Sequence, residues 1–317
     1  MSEHTPQRVL ITGCQGQVGH ALVQQLAPDF QPIGYDRLGL DLSDLDHLAD
    51  KLHAAIEVQQ PCAIINAAAF TAVDRAESQE SLAYDINALA PGIMATVAAS
   101  HGLPMVHYST DYVFDGKRVG AYTEDDLTGP LSVYGRSKLA GEKAIVAANG
   151  PHLILRTSWV FGAHGQNFLK TMLRLAQERD ALSVVDDQIG APTSAELIAQ
   201  STHTALSSLI KGDGARDPRW GLYHLAASGH TSWHGYAQHV IARARALGWP
   251  IRIKDDAIEG IAAQDYPVAA TRPMNSRLDT RKWQQAFGGA AGADQGETLP
   301  NWQVGVDHVL AKISLQP

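Results

Sequence analysis

"RVLITGCQGQVGHALVQQLA", residues 8–27, is the stretch whose reading decides the fold. Residues 8–13 are mostly apolar, rich in β-branched residues, and end in glycine, which predicts a buried strand. Apolar residues then return at helical spacing through 17–27, which predicts a helix. Between the two, Gly13, Gly16 and Gly19 stand at G-x-x-G-x-x-G spacing. Gly13 permits a tight turn, Gly16 lets the backbone approach a pyrophosphate with no Cβ in the way, and Gly19 lets the helix pack close to the sheet. A strand, a glycine turn and a helix N-terminus in that order form a cradle for phosphates. The stretch therefore predicts a dinucleotide site at the start of an α/β sheet.

The pattern continues outward. "QPIGYD" (31–36) reads as a second strand, and 43–56 as a helix with Ser43 as its N-cap. Further strands are expected at 62–69, 104–110 and 152–161, with a helical region at about 74–100 interrupted near Pro91 and a helix at 133–148. The strands are continuous apolar runs, as when both faces of a parallel sheet are covered. After Gly162 come a helix at 167–179, a strand at 182–187 and a helix at 194–210. A loop at 211–221 follows, then "YHLAA" (223–227) and helices at 232–247, 279–287 and 302–314. "GGAAGADQGE" (288–297) reads as a surface insert. The expected fold is a Rossmann-like doubly wound parallel sheet with a smaller, irregular α+β substrate lobe. Residues 1–162 plus about 181–212 are assigned to the dinucleotide-binding domain, and about 163–180 plus 213–317 to the lobe.

Composition narrows the class. A chain of 317 residues exceeds the usual reach of one core, so two lobes are expected. A net charge of −8 argues against nucleic acid or an anionic membrane as partner. No apolar run reaches the roughly 18 residues of a membrane span, and "MSEHTPQ" lacks the layout of a secretory signal. Two cysteines, Cys14 and Cys62, exclude a disulfide scaffold and fit a reducing, cytoplasmic setting. Fourteen histidines are present, but no H-E-x-x-H or paired-cysteine spacing occurs, so no metal is expected.

Two signals bear on the cofactor. Asp36 ends the second strand at the distance where an acid binds the adenosine ribose and favours NAD, whereas the adjacent Arg37 suits a 2′-phosphate and favours NADP. NADPH or NADH is therefore expected. Asp41 and Leu42 stand where the chain passes the adenine, as a polar cap and an apolar wall, or simply as a turn. Farther on, "YGRSK" places Tyr134 and Lys138 four apart on one helix face. A phenol with an ordinary pKa near 10 needs a nearby ammonium to stabilise its anion. Ser109 or Thr110, at the end of the fourth strand, can hold a substrate oxygen beside it. The set suits hydride transfer to a carbonyl, with Tyr134 supplying the proton.

Nine segments in order, "TGCQGQVG", "INAAAFTAVDRAES", "HYSTDYVFDG", "YGRSKLAGE", "LRTSWVFG", "DDQIGAPTSAEL", "GLYHLAASG", "RPMNSRLDT" and "NWQVGV", carry a resemblance over nearly the whole chain. It is to the extended short-chain dehydrogenase/reductase family, in its dTDP-4-dehydrorhamnose reductase branch. That resemblance implies reduction of the 4-keto group of dTDP-4-dehydro-6-deoxy-L-mannose by NAD(P)H, the last step in making dTDP-L-rhamnose for cell-surface polysaccharide. It implies Thr110, Tyr134 and Lys138 as the catalytic set. Gly16, Gln17 and Val18 would meet the cofactor phosphates, Asp36 the ribose, Asp41 and Leu42 the adenine region, and Ala69, Phe70 and Thr71 the nicotinamide side. Thr110, Asp111 and Trp159 would touch the sugar. Arg272, Asn275 and Arg277 fall in the segment expected to face the nucleotide diphosphate. Phe70 stands where members often carry His. Some members bind Mg2+ at a dimer contact through several Glu residues. Here Glu196 matches one such position, but Ala21 and Lys312 occupy others, so no metal-bridged dimer is expected.

A monomer or homodimer acting on a nucleotide-sugar is the reading that results. Two others compete. A non-catalytic regulatory subunit can share this fold, but it would not need Thr110, Tyr134 and Lys138 together. A sugar-nucleotide epimerase or dehydratase would retain NAD, and dehydratases usually need acids after the catalytic Thr, where "TDYVF" provides Asp111 but no following Glu.

Overall fold

Val9, Leu10 and Ile11 are fully buried, because β1 (Gln7–Thr12) runs through the interior of a six-stranded sheet. The structure is a computed structural model that describes residues 6–288 and 299–314; residues 289–297 of the expected insert lie outside it. In chain order follow α1 (Gln17–Leu26), β2 (Phe30–Tyr35), α2 (Leu45–Gln59) and β3 (Ala63–Asn66). Next are α3 (Val73–Ala76), α4 (Glu80–Tyr84), α5 (Ala90–Ser100), β4 (Met105–Thr110), α6 (Val133–Ala147) and β5 (His152–Thr157). The later part holds β6 (Val160–Phe161), α7 (Phe168–Glu178), β7 (Leu182–Val185), β8 (Ile189–Gly190), β9 (Thr193–Ser194) and α8 (Ala195–Lys211). Last come β10 (Gly221–His224), β11 (Thr231–Ser232), α9 (Trp233–Ala246), β12 (Ile258–Ile261), α10 (Arg281–Phe287) and α11 (Trp302–Ser314).

The main sheet has the order β10-β5-β4-β3-β1-β2, all parallel. Alternate strand residues divide between its faces. Val9, Ile11, Ile65 and Leu155 pack beneath α1, α8 and α10, through Leu22, Ile198 and Trp283. Leu10, Ile64, Met105 and Ile154 pack beneath α2, α5 and α6, through Leu52, Met94 and Ile145. This is the doubly wound sheet, and it places the C-terminal ends of β1 to β5 together at one edge, where ligands of such sheets bind. A separate core joins α7, α9 and α11 around Leu169, Tyr236 and Val306.

Several element readings need correction. The run 152–161 is not one strand. It breaks at Trp159, which adopts φ +49, and residues 160–161 leave the main sheet to pair with β9. Residues 182–185 pair with β12, whereas 221–224 close the main sheet beside β5. Asp44, not Ser43, precedes α2; the Ser43 N–H and hydroxyl both donate to Asp41 Oδ1 instead.

Residues 80–100 form one continuous helical stretch, long and apolar enough by length and composition to cross a membrane. In the fold half of it is buried, and Ala90, Met94 and Ala98 pack on the sheet, so it serves as a core helix. Pro91 does not interrupt it. A single π turn, Asp85–Leu89, precedes the proline, so the missing proline N–H falls in the first turn of α5 where little is lost. The Asn87 carbonyl left without that donor sits against α6 at Gly141, where an added Cβ would lie 2.1 Å from it. The two helices are thereby held in close register.

Candidate active site

The glycine turn has the tightness its spacing implies. Gly13 adopts φ +68, and a Cβ there would lie 2.6 Å from the Ala68 nitrogen; one on Gly19 would lie 2.1 Å from the Gly13 oxygen. Gly16 caps α1, which opens with no acidic side chain in its first turn, so the positive end of the helix faces outward over the sheet. Gly13, Gly16, Gln17 and Val18 line a cleft of about 840 Å³. Gly19 does not, and serves helix packing instead.

The cleft follows the strand ends. At β2, Asp36 Oδ1 accepts from the N–H groups of Leu38 and Gly39 (both 3.0 Å), and Oδ2 accepts from Gln15 Nε2 (2.8 Å). Arg37, largely exposed, pairs with Asp41 (3.3 Å). Bonds from Ser43, then Arg37, hold the Asp41 carboxyl below the usual carboxylate range. Leu42 is buried and, with Asp41, lines the same wall.

Beyond β3, Ala69, Phe70 and Thr71 line the middle of the cleft. They are held by a residue the sequence reading missed. Asn87, fully buried in the π turn, accepts from the Phe70 N–H (2.8 Å) and donates to the Phe70 carbonyl and to Ser137 Oγ (both 3.1 Å). One carboxamide thus ties the Phe70 loop to α6. The lone polar residue in the apolar run "INALA" was the signal available for it.

At the far end, Thr110, Asp111, Tyr134 and Lys138 meet. Tyr134 and Thr110 line the same end of the cleft, and burial pushes the Tyr134 phenol up to about 12. The phenol is therefore protonated at neutral pH and can donate. Lys138 is buried. Its Nζ donates to the Tyr108 carbonyl (2.6 Å), and burial lowers its pKa to about 8. The choice between the two strand-end hydroxyls resolves by partner: Ser109 Oγ donates to Glu142 Oε1 (2.5 Å), so Thr110 is the one beside the phenol.

Asp111 Oδ1 accepts from Thr110 Oγ1 (3.0 Å), whereas Oδ2 is buried with no hydrogen-bond partner among the described residues. Burial raises this carboxyl to about 6. A carboxyl raised on folding holds its proton better folded than unfolded. Its contribution to stability is fully present below its ordinary 3.8 and is lost as pH rises through about 6. At pH 7 the buried charge costs at most about 3 kcal/mol. Asp111→Asn is expected to raise Tm at pH 7 by several degrees, with no such gain near pH 4, and to lower turnover. Thermal scans at the two pH values check this.

Trp159 closes the cleft. Its left-handed backbone turns the indole onto Gly190 and into a stack with Trp233, ring centroids 3.6 Å apart. Trp233 also lines a second cleft of about 1320 Å³ between α7, β7 and β12. Arg272 belongs to that second cleft and pairs with Asp74 (2.8 Å). Asn275 lines neither. Its Nδ2 donates to the carbonyls of Arg118 and Gly120 (both 2.8 Å), and its Oδ1 accepts from Arg277, so it braces the 117–122 loop. Glu196 lies 3.6 Å from Lys312. Among the described residues, no group of three or more His, Cys, Asp or Glu is placed to hold a metal ion.

Comparison with known proteins covers nearly the whole chain. The family model described as the RmlD substrate binding domain matches residues 7–315. The dTDP-4-dehydrorhamnose reductase of Escherichia coli K12 is 44% identical over 306 residues, covering 96% of this chain and 97% of that protein. The enzyme of the same name from Sinorhizobium fredii is 42% identical over 297 residues, covering 93% and 94%. The crystal structure of dTDP-4-dehydrorhamnose reductase from Bacillus anthracis in complex with NADP superposes with a TM-score of 0.84 at 30% identity, covering 97% of this chain and 100% of that one.

Proposed function

We propose a function from one premise: the chain belongs to the dTDP-4-dehydrorhamnose reductase family, whose RmlD model spans residues 7–315. It is an NAD(P)H-dependent oxidoreductase that reduces the 4-keto group of dTDP-4-dehydrorhamnose to give dTDP-L-rhamnose. The observation that carries this to the residues is one continuous cleft, with the glycine turn at one end and Thr110, Tyr134 and Lys138 at the other.

The cleft fits the cofactor. The turn offers backbone where a side chain would block phosphates, and Asp36 stands at the ribose position. When bound, NAD(P)H supplies the hydride to the sugar C4. Thr110 Oγ1 holds the 4-oxygen beside Tyr134, and Tyr134 Oη gives it the proton as the alkoxide forms. The Lys138 ammonium then steadies the phenolate left behind. Asp111 Oδ2, without a partner, is free to take a sugar hydroxyl. The Trp159–Trp233 stack forms the wall between sugar and nucleotide. The second cleft, with Arg272, takes the dTDP portion.

The assay is direct: purified protein, NADPH and the dTDP-4-keto sugar, with absorbance of the reduced cofactor followed over time. No oxidation above the blank would overturn the assignment. A non-catalytic subunit has no use for Thr110, Tyr134 and Lys138 together at one end of the cleft, and a dehydratase lacks its second acid here, where Tyr112 follows Asp111. The reading places the enzyme in the cytoplasm, as a monomer or homodimer.

Cofactor choice rests on Arg37. Its guanidinium can leave Asp41 for a 2′-phosphate, while Asp36 serves NADH. Arg37→Ala is expected to lower kcat/KM for NADPH about tenfold, the loss of one charged hydrogen bond, and to leave NADH little changed. Paired initial-rate measurements with the two cofactors check it.

A further inference from the structure

Residues 163–167 join β6 to α7, and two of their side chains grip the glycine turn from either flank. His164 Nε2 donates to the Gln15 carbonyl (2.9 Å), and Asn167 Nδ2 donates to Gln17 Oε1 (2.8 Å). The segment is itself held firmly. Lys170 Nζ donates to the carbonyls of Ala163 (2.5 Å) and Gly165 (2.9 Å), and the His164 ring stacks on His20 with centroids 4.1 Å apart. It packs tightly on the turn: Gly165 adopts φ +74, and a Cβ there would lie 3.1 Å from Gln17 Cγ. Gly165, Gln166 and Asn167 line the main cleft together with Gly16 and Gln17.

The main chain fixes which way these amides point. The Lys170 N–H donates to one prong of the Asn167 carboxamide (3.1 Å), so that prong is Oδ1. The other, Nδ2, donates to the Gly162 carbonyl (2.8 Å) as well as to Gln17. Because a donor meets Gln17, the prong it meets is Oε1, and Gln17 Nε2 is turned the other way. Nε2 has no hydrogen-bond partner among the described residues. Gln17 is the first residue of α1, where the free N–H groups of the helix N-terminus already favour an anion. Ionised phosphate oxygens accept and do not donate. With Nε2 presented, Gln17 adds N–H donors to that set. Reversed, it would present a carbonyl oxygen and repel the same charge.

We propose that Asn167 is a positioning residue: it orients the Gln17 carboxamide so that Nε2, and not Oε1, meets the diphosphate of the dinucleotide. The proposal rests on the reading that this cleft binds NAD(P)H. Helix α1 cannot make the choice at its own cap, because Gly16 has no side chain there. Asn167 makes it from the N-cap of α7, where its Oδ1 is already committed to the Lys170 N–H and only its N–H groups are left for Gln17.

Calorimetric titration with NADH across a double-mutant cycle tests this. Gln17→Ala is expected to raise the Kd about tenfold, the loss of one charged hydrogen bond. Asn167→Ser keeps a cap for α7, but its shorter side chain falls short of Gln17. With the carboxamide free to turn, its Kd is expected to rise about fivefold. In the double variant the change at 167 adds nothing to the loss from Gln17→Ala. Asn167→Asp caps but cannot donate, so it draws Gln17 Nε2 to itself and leaves Oε1 for the phosphates. It is expected to weaken binding more than Asn167→Ser does, and by less once Gln17 is replaced. An unchanged Kd in Asn167→Ser, or losses that multiply in the double variant, overturns the proposal while leaving cofactor binding intact. No binding heat for the wild type overturns both this and the reading of the cleft. Should Asn167→Ser fail to fold, Asn167→Asp carries the same cycle, and a loss of equal size with and without Gln17 overturns the proposal.

Discussion

Replacing Tyr134 by Phe is expected to lower turnover by about 10²-fold or more and to leave cofactor binding largely intact. The ring keeps its edge contact with Tyr112 and its place among Phe70 and Val133, so the change removes one hydroxyl and little packing. What is lost is the donor beside Thr110. That donor is protonated at neutral pH because burial pushes it up to about 12, and it can part with its proton only where a cation receives the resulting charge. Without it, the alkoxide at C4 must draw its proton from water. Single-turnover measurement with saturating NADPH separates the chemical step from binding. A variant that keeps wild-type turnover would show that another group supplies the proton.

The second large effect is on stability. Glu142 lies two turns beyond Tyr134 on α6, and its carboxylate is gripped by Arg156 from β5 through two bonds of 2.9 and 2.6 Å, both residues almost wholly buried. Arg156 also lies over the Phe114 ring. Glu142→Gln leaves that guanidinium charge buried without its counter-ion and is expected to cost about 3–5 kcal/mol, a large share of the ~5–15 kcal/mol that stabilises a typical domain. The double variant Glu142→Leu/Arg156→Met should recover most of the loss, because two apolar side chains of similar size strand no charge. Denaturant midpoints at constant slope measure both. A fully stable Glu142→Gln would show that the pair contributes little.

What could be read directly from the chain was whatever is local. The glycine turn, the unbroken apolar strands and the four-residue step from Tyr134 to Lys138 each lie within about a dozen residues, and each obeys a single periodicity. The misreadings share another cause. Trp159 sits in a run rich in β-branched residues that scores as strand throughout; only its packing against Gly190 and Trp233 forces the left-handed turn. Residues 221–224 are too short to announce a sheet edge, and their partner β5 lies some 70 residues earlier. Asn275 carries no local mark that its amide will hold a loop 155 residues away. The π turn is invisible for a simpler reason: one extra residue within a continuous apolar pattern alters no composition.

That extra residue has a mechanical meaning. An α-helix turns by about 100° per residue, so the halves of the 80–100 stretch are phased against each other. Leu82 and Ile86 look into the cleft, while Met94 and Ala98 look into the sheet. The π turn sets the angle between these two pairs. Removing a single residue at 85–89 would rotate one half against the other by about 100°, and either the cleft would lose its wall or the sheet its covering.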